Sequence, residues 1–185
     1  MERNSRDGIG MSHIQLLALS GSLRKTSYNT YALEALKEIA EPYGVDITLG
    51  RIDQLPLFNP DREGDNIPPL NTLKAQLASA AGLIIASPEY AHGISGPLKN
   101  ALDWLVSGDE FPYKPVMLIN TSPRAHHALD ALKEVLTTMS GRIIDDATVS
   151  IPLLGSDLDK AGILQHRDLS NALAAGLKVF CSELQ

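Results

Sequence analysis

The chain has 185 residues, a length typical of one domain that buries a full core without disulfides. Its formal net charge of −6 argues against nucleic acid and against an anionic membrane surface as partners, because both attract basic faces. The single cysteine, Cys181, excludes an intrachain disulfide framework, and we interpret it as a packing residue. No apolar run approaches the ~20 residues of a membrane-spanning helix.

The first thirteen residues are polar and lack the hydrophobic stretch of a signal peptide. We expect residues 1–13 to form a flexible N-terminal extension and residues 14–185 to form a single domain. The default location is therefore the cytoplasm.

Strand-like and helical segments alternate along that domain. Apolar runs predict strands, and apolar residues at helical spacing between them predict helices. The predicted strands are 14–20, 45–50, 82–87, 114–122 and one within 142–151, and the predicted helices are 27–44, 70–80, 97–108, 123–141 and 159–182.

This alternation predicts an α/β fold, in which a parallel sheet is covered by helices on both faces. Right-handed crossovers favour a flavodoxin-like three-layer sandwich, with five parallel strands in the order 2-1-3-4-5. Ligands of such sheets bind beyond the carboxyl ends of the strands, where strands 1 and 3 diverge. The long Pro-, Asp- and Asn-rich loop 51–69 is a further candidate, because loops of this length are often functional.

The loop after the first strand, "GSLRKTSYN" (21–29), has the composition of a phosphate site. It leads into a helix whose N-terminal amides attract anions. Ser22, Thr26 and Ser27 add hydroxyl donors. Arg24 adds a charged fork suited to phosphate, and Asn29 can cap or close the loop. It is neither a Walker loop nor a dinucleotide fingerprint, because the required lysine or glycines are missing. The alternative is that Ser27 only caps the helix and that Arg24 is solvated.

The loop after the third strand, "SPEYAHGISG" (87–96), offers backbone groups that can read the edge of a flat heterocycle. Tyr90 is a candidate border for the face of such a ring, or else a half-buried packing residue. Glu89 has the chemistry of a general base, but we favour a solvated or structural carboxylate. His92 is interpreted as a surface residue of the loop.

The loop after the fourth strand, "NTSPRAHHA" (120–128), brings further polar groups to the same edge of the sheet. Ser122, Arg124, His126 and His127 are its donors, and we expect them to stabilise negative charge on a reduced ring. Adjacent histidines point apart on a helix, and no nearby cysteine or carboxylate cluster completes a metal site.

These loops resemble the NADPH-dependent FMN reductase family, which includes related quinone, chromate and azo-dye reductases. The resemblance extends over most of 14–180 and rests on two linked motifs. The first motif has Ser22, Arg24, Ser27 and Asn29 in place. The second has Pro88, Glu89, Tyr90, Gly96, Leu98, Lys99, Asn100, Asp103 and Trp104 in place. Ala91 departs from the asparagine that many members carry after the tyrosine, and Gly93 and Ser95 differ from the commonest serine and proline.

The resemblance implies bound FMN, reduced by NADPH or NADH, which passes two electrons to a quinone, azo compound, metal oxyanion or free flavin. It also implies a homodimer or homotetramer. By this resemblance the first loop holds the phosphate, 88–91 read the ring edge through the backbone, and Ser122 and Arg124 lie near the pyrimidine end. No catalytic side chain is assigned, because the flavin carries the chemistry. Two alternatives share the fold: a flavodoxin-type electron carrier, and a non-enzymatic flavin- or redox-sensing protein.

Overall fold

A computed structural model describes residues 13–124 and 126–184 of the chain. The predicted N-terminal extension therefore lies, apart from His13, outside the described residues. Eight strands are assigned in the described part: β1 (Ile14–Ser20), β2 (Val45–Gly50), β3 (Gly82–Ala86), β4 (Glu89–Tyr90), β5 (Gly93–Ile94), β6 (Pro115–Asn120), β7 (Arg142–Ile143) and β8 (Val149–Ser150).

Six α-helices are present in the described part of the chain, where five were predicted from the apolar periodicity. They are α1 (Tyr28–Ala40), α2 (Pro68–Ser79), α3 (Gly96–Leu105), α4 (His127–Thr138), α5 (Lys160–Gln165) and α6 (Arg167–Ser182). Within the described ranges, none of them is both long enough and apolar enough to cross a bilayer.

The main sheet is parallel throughout and runs β2-β1-β3-β6, with β7 and β8 both paired to the outer edge of β6. This confirms the predicted order 2-1-3-4-5, but the fifth position is not one continuous strand. β7 pairs with the start of β6, β8 pairs with its end, and a 3₁₀ turn at Asp145–Ala147 lies between them. Aspartate is a poor strand former, so the two adjacent aspartates favour a turn there.

Two further segments differ from their predicted form. The segment predicted as one final helix is divided into α5 and α6, because His166 has an extended backbone with φ −81° and ψ 101°. The polar loop 87–96 contains a small antiparallel hairpin, in which Glu89 pairs with Ile94 and Tyr90 with Gly93.

An apolar core lies on each face of the sheet, between the strands and the helices that cover them. Side chains alternate along a strand, so Leu16 and Ala18 of β1 face one core while Leu17 and Leu19 face the other. Helices α1, α5 and α6 cover the first face, and α2, α3 and α4 cover the second. The fold is the predicted three-layer sandwich.

The long loop 51–67 leaves the carboxyl end of β2 and is attached to side chains of α3. Asn100 accepts a hydrogen bond from the Phe58 amide (2.8 Å) and donates one to the Pro56 carbonyl (2.9 Å). Trp104 Nε1 donates to the same carbonyl (2.8 Å), and Phe58 packs edge-on against the indole at 5.1 Å. The length of this loop thus has a structural explanation.

Candidate functional site

A cleft of about 630 Å³ lies at the carboxyl edge of the sheet. This volume is in the range of pockets that bind small molecules and cofactors. The loops after β1, β3, β6 and β8 form its walls. The lining residues are Ser22, Arg24, Thr26, Ser27, Tyr28, Asn29, Tyr31, Pro88, Glu89, Tyr90, Thr121, Ser122, Leu154, Gly155, Asp157, Leu158 and Asp159.

The loop after β1 is ordered by its own hydroxyl groups. Ser27 is the N-cap of α1, and its Oγ accepts a hydrogen bond from the Thr30 amide at 3.4 Å. Ser22 Oγ accepts one from the Arg24 amide at 3.3 Å. Ser27 does cap the helix, as the alternative interpretation held, and it also lines the cleft. The leading amides of α1, which have no intrahelical acceptor, begin at this cleft.

Arg24 is the only basic side chain among the described lining residues. It is exposed, and it forms no ion pair with a carboxylate in the described part of the chain. Its guanidinium charge is therefore available to an anionic group in the cleft.

Asn29 joins the loops that follow β1 and β6. Its buried side-chain oxygen accepts a hydrogen bond from Thr121 Oγ1 at 3.1 Å. The next residue, Ser122, donates its amide to Asn120 Oδ1 at 2.9 Å. Asn29 thus holds the loop after β1 to the loop after β6, and the hydrogen bonds hold Thr121 and Ser122 at the cleft.

Gly21 brings the loops after β1 and β3 into close approach. A Cβ atom at this position would lie 2.4 Å from Ser87 Oγ, so a larger residue would force the two loops apart. Ser95 Oγ donates a hydrogen bond to the Gly21 carbonyl at 2.6 Å, and both residues are buried. This contact fixes the floor between the two predicted binding loops.

Glu89 acts as a structural carboxylate in this geometry. Its Oε2 accepts a hydrogen bond from the Ala128 amide at the start of α4 (2.9 Å), and its Oε1 lies 3.3 Å from His92 Nδ1. The backbone hydrogen bond lowers the pKa of Glu89 below its ordinary value, and nearby histidines add to this effect. A carboxylate held in its charged form is a weak general base, which agrees with the interpretation from sequence.

The outer part of the cleft carries the exposed apolar groups. Tyr90 is 49% exposed and Leu154 is 65% exposed, and they stand on different walls. Ala91 and Arg124 are not among the described residues that line the cleft. Among the described residues, no group of three histidine, cysteine or acidic side chains has the geometry to hold a metal ion.

Sequence reasoning missed one complete wall of the cleft. The loop after β8 contributes residues 154, 155 and 157–159, and α1 contributes Tyr28 and Tyr31. The Asp157 amide donates to the Tyr28 hydroxyl at 3.3 Å, which joins the two missed parts. The signal was present in the topology, because a loop that follows the last parallel strand reaches the same edge as the others.

The strand order and the cleft at the carboxyl edge define a flavodoxin-like α/β protein. Solved structures support this class by their fold. The flavoenzyme FerB from Paracoccus denitrificans, an NAD(P)H:(acceptor) oxidoreductase, superimposes with a TM-score of 0.78 at 23% identity, covering 91% of this chain and 98% of the other. A flavodoxin from the domain Archaea gives a TM-score of 0.58 at 17% identity, with coverage of 91% and 98%.

The family follows from the sequence comparison. The model of the family described as NADPH-dependent FMN reductase matches residues 14–153, and the chain belongs to that family. It is similar to an NAD(P)H-dependent FMN reductase from Pseudomonas aeruginosa, with 38% identity over 112 residues (59% of this chain, 60% of the relative). It is also similar to a quinone reductase from Escherichia coli, with 35% identity over 114 residues and the same coverage. The matched region thus spans about 60% of the length of these relatives.

Proposed function

We propose that the protein is an FMN-dependent NAD(P)H oxidoreductase that passes two electrons from a nicotinamide nucleotide to a small acceptor. The observation that carries this proposal is the β1–α1 loop, where hydroxyl groups, a helix N-terminus and an unpaired arginine meet in one cleft. Family membership and the names of the relatives support the same chemistry.

The residues that line the cleft fit both the phosphate end and the ring end of FMN. Ser22, Thr26 and Ser27 offer hydroxyl donors to a terminal phosphate, and Arg24 offers the only cationic group of the described lining. Asn29 holds this loop to Thr121 and completes the phosphate-binding half.

The other half of the cleft suits a flat ring. Residues 88–90 line this half and offer backbone donors and acceptors to the ring edge, and the exposed Tyr90 offers an aromatic border. Ser122 lies on the adjacent wall, and Arg124 and the α4 N-terminus follow it along the chain. We assign this group to the pyrimidine end, where negative charge develops on reduction.

Bound FMN would supply hydride acceptance and two-electron donation, and the protein would supply orientation and electrostatics. The open outer part of the cleft, between Tyr90 and Leu154, is where we place the nicotinamide ring and then the acceptor. We propose a quinone, azo compound, metal oxyanion or free flavin as that acceptor; the relatives include a quinone reductase and an NADPH azoreductase.

The test is an anaerobic titration of the purified, FMN-loaded protein with NADPH and then NADH, followed by the visible absorbance of the flavin. We expect rapid bleaching in a single two-electron phase, followed by recovery of the colour when a quinone is added. A protein that binds no flavin would overturn the proposal.

Two other results would select the alternatives. Flavin binding without a spectral response to either nucleotide would favour a flavin-sensing protein. The same lack of response to the nucleotides, together with a stable semiquinone when a one-electron reductant is titrated instead, would favour a flavodoxin-type carrier.

We also propose a homodimer or homotetramer in the cytoplasm. Leu57 supports the assembly, because it is 84% exposed on a loop that is anchored on both sides of it. Light scattering after size exclusion tests the assembly, and we expect Leu57→Asp to shift the mass toward the monomer.

A further inference from the structure

The wall of the cleft formed by the β4–β5 hairpin has a strained turn at its tip. Ala91 and His92 form its two-residue loop, and both have positive φ, 49° and 58°. This is the type I′ geometry, which strongly prefers Asn-Gly because most side chains are disfavoured in the left-handed region. An Ala-His turn of this type persists only where the surroundings hold it in place.

The contacts that hold this turn in place are made by Glu89, at the base of the same hairpin. One carboxylate oxygen accepts the Ala128 amide hydrogen (2.9 Å), and the other lies 3.3 Å from His92 Nδ1. The side chain of Glu89 is only 14% exposed. We call these two contacts the Glu89 bridge.

Three histidine rings pack in a row beside this bridge, one from the hairpin and two from the start of α4. The His92 ring packs edge-on against His127 with centroids 4.6 Å apart, and His127 lies 4.3 Å from His126. The groups that face the carboxylate are therefore one helix-terminal amide and these histidines, all on β4–β5 or α4. One oxygen of Glu89 thus joins the hairpin to the helix, and the other lies beside a histidine of the hairpin's own turn, whose ring packs on His127.

This arrangement links a strained turn to the wall of the cleft. Pro88, Glu89 and Tyr90 line the cleft, and Ser122 on the neighbouring wall belongs to the loop that leads into α4. If the hairpin separated from α4, the turn would relax and the Tyr90 wall would move with it. The phosphate-binding loop, which is capped onto α1 by Ser27 and joined to Thr121 through Asn29, would stay in place.

We propose that Glu89 is a positioning residue, which fastens the strained β4–β5 hairpin to the N-terminus of α4 and thereby fixes the ring-binding half of the cleft. This inference rests on the proposed function for its ligand. It predicts a specific pattern: loss of the bridge weakens binding of the ring and leaves recognition of the phosphate unchanged.

The experiment compares the dissociation constants of FMN and of riboflavin, which lacks the phosphate, for wild type, Glu89→Ala and Glu89→Gln. For Glu89→Ala we expect about tenfold weaker binding of both flavins, the scale of one lost charge-assisted hydrogen bond, with their ratio unchanged. Glu89→Gln retains an acceptor oxygen and should recover most of the affinity. Glu134→Ala, which removes an exposed carboxylate from α4 itself, is the matched control and should bind both flavins like wild type.

A rescue variant separates positioning from a general loss of folding. Replacing Ala91 and His92 by Asn and Gly gives the turn its preferred sequence, so the hairpin no longer needs an external support. In the Glu89→Ala background, Ala91→Asn with His92→Gly should restore riboflavin binding. Riboflavin affinity within twofold of wild type for Glu89→Ala alone would overturn the positioning role.

Hydrogen exchange in the flavin-free protein tests the bridge independently of the ligand. The Ala128 amide should exchange at least about tenfold faster in Glu89→Ala than in wild type, because its acceptor is lost. Unchanged exchange would overturn the bridge itself. Failure of the wild type to bind either flavin would instead overturn the proposed function, and the exchange rates would still decide whether Glu89 fastens the hairpin.

Discussion

At the scale of single residues, Arg24 is the side chain on which the proposed recognition of the FMN phosphate most depends. It is the only basic group of the described lining, and it forms no ion pair with a described carboxylate. We expect Arg24→Ala to weaken FMN binding by ~1.5–3 kcal/mol, or roughly 10- to 150-fold, the scale of a charged hydrogen bond. Isothermal titration calorimetry measures this difference directly.

The control for Arg24 is its neighbour. Lys25 is also an exposed cation but is not among the described residues that line the cleft. Lys25→Ala removes the same net charge and should leave FMN affinity nearly unchanged, and riboflavin affinity should be unchanged in both variants. If Lys25→Ala and Arg24→Ala lowered FMN affinity equally, the positive charge of this loop as a whole, and not a contact with Arg24, would attract the ligand.

At the scale of elements, the side chains of α3 determine the path of the loop 51–67. Asn100→Ala removes two hydrogen bonds, to Phe58 N and Pro56 O, and leaves those backbone groups without their partner. We expect a loss of about 1–3 kcal/mol in the free energy of unfolding, because unsatisfied backbone groups are costly. Urea denaturation followed by circular dichroism measures it.

A second variant on the same helix shows whether the effect is specific. Lys99 forms an exposed ion pair with Asp103 at 2.5 Å, and such pairs contribute little to stability. Lys99→Ala should change the free energy of unfolding by less than ~1 kcal/mol. If Asn100→Ala were equally mild, the loop would be held mainly by the packing of Phe58 on Trp104.

At the scale of the whole molecule, the ionisation of Glu89 connects pH to stability. The Ala128 amide lowers the pKa of Glu89 in the folded protein, so the unfolded chain binds this proton more tightly. The contribution of Glu89 is therefore fully present above its ordinary pKa of 4.5 and is lost as the pH falls through the lower folded value.

We therefore expect wild type to be more stable than Glu89→Gln at neutral pH, and the difference to shrink as the solution is acidified below that ordinary value. Urea midpoints measured from neutral to acid pH give both curves. A difference that stays constant over this range would show that the negative charge of Glu89 does not contribute to stability.

The amino-acid sequence by itself determined the layers of this protein and three of the four loops of its cleft. Strand and helix periods are local properties, and parallel strands place their following loops at one edge. This reasoning located the Ser22–Asn29 loop, Pro88–Tyr90 and Ser122 without any coordinates. The same reasoning offered Ser27 as a helix cap, as the alternative to a phosphate contact, because capping depends only on neighbours in the chain. The hydrogen bond between Asn29 and Thr121 joins residues far apart in sequence and needed the tertiary structure.

Only the tertiary structure decided the features that depend on contacts between distant segments. The wall after β8, the attachment of the loop 51–67 to Asn100 and Trp104, and the hydrogen bond from Ala128 to Glu89 all join residues far apart in sequence. The split of the fifth strand did have a local signal, the adjacent Asp145 and Asp146, which the prediction of one continuous strand did not use. Local patterns specify which elements form, whereas the geometry of packing specifies which loops meet, and the attachment of the β4–β5 hairpin to α4 depends on the second.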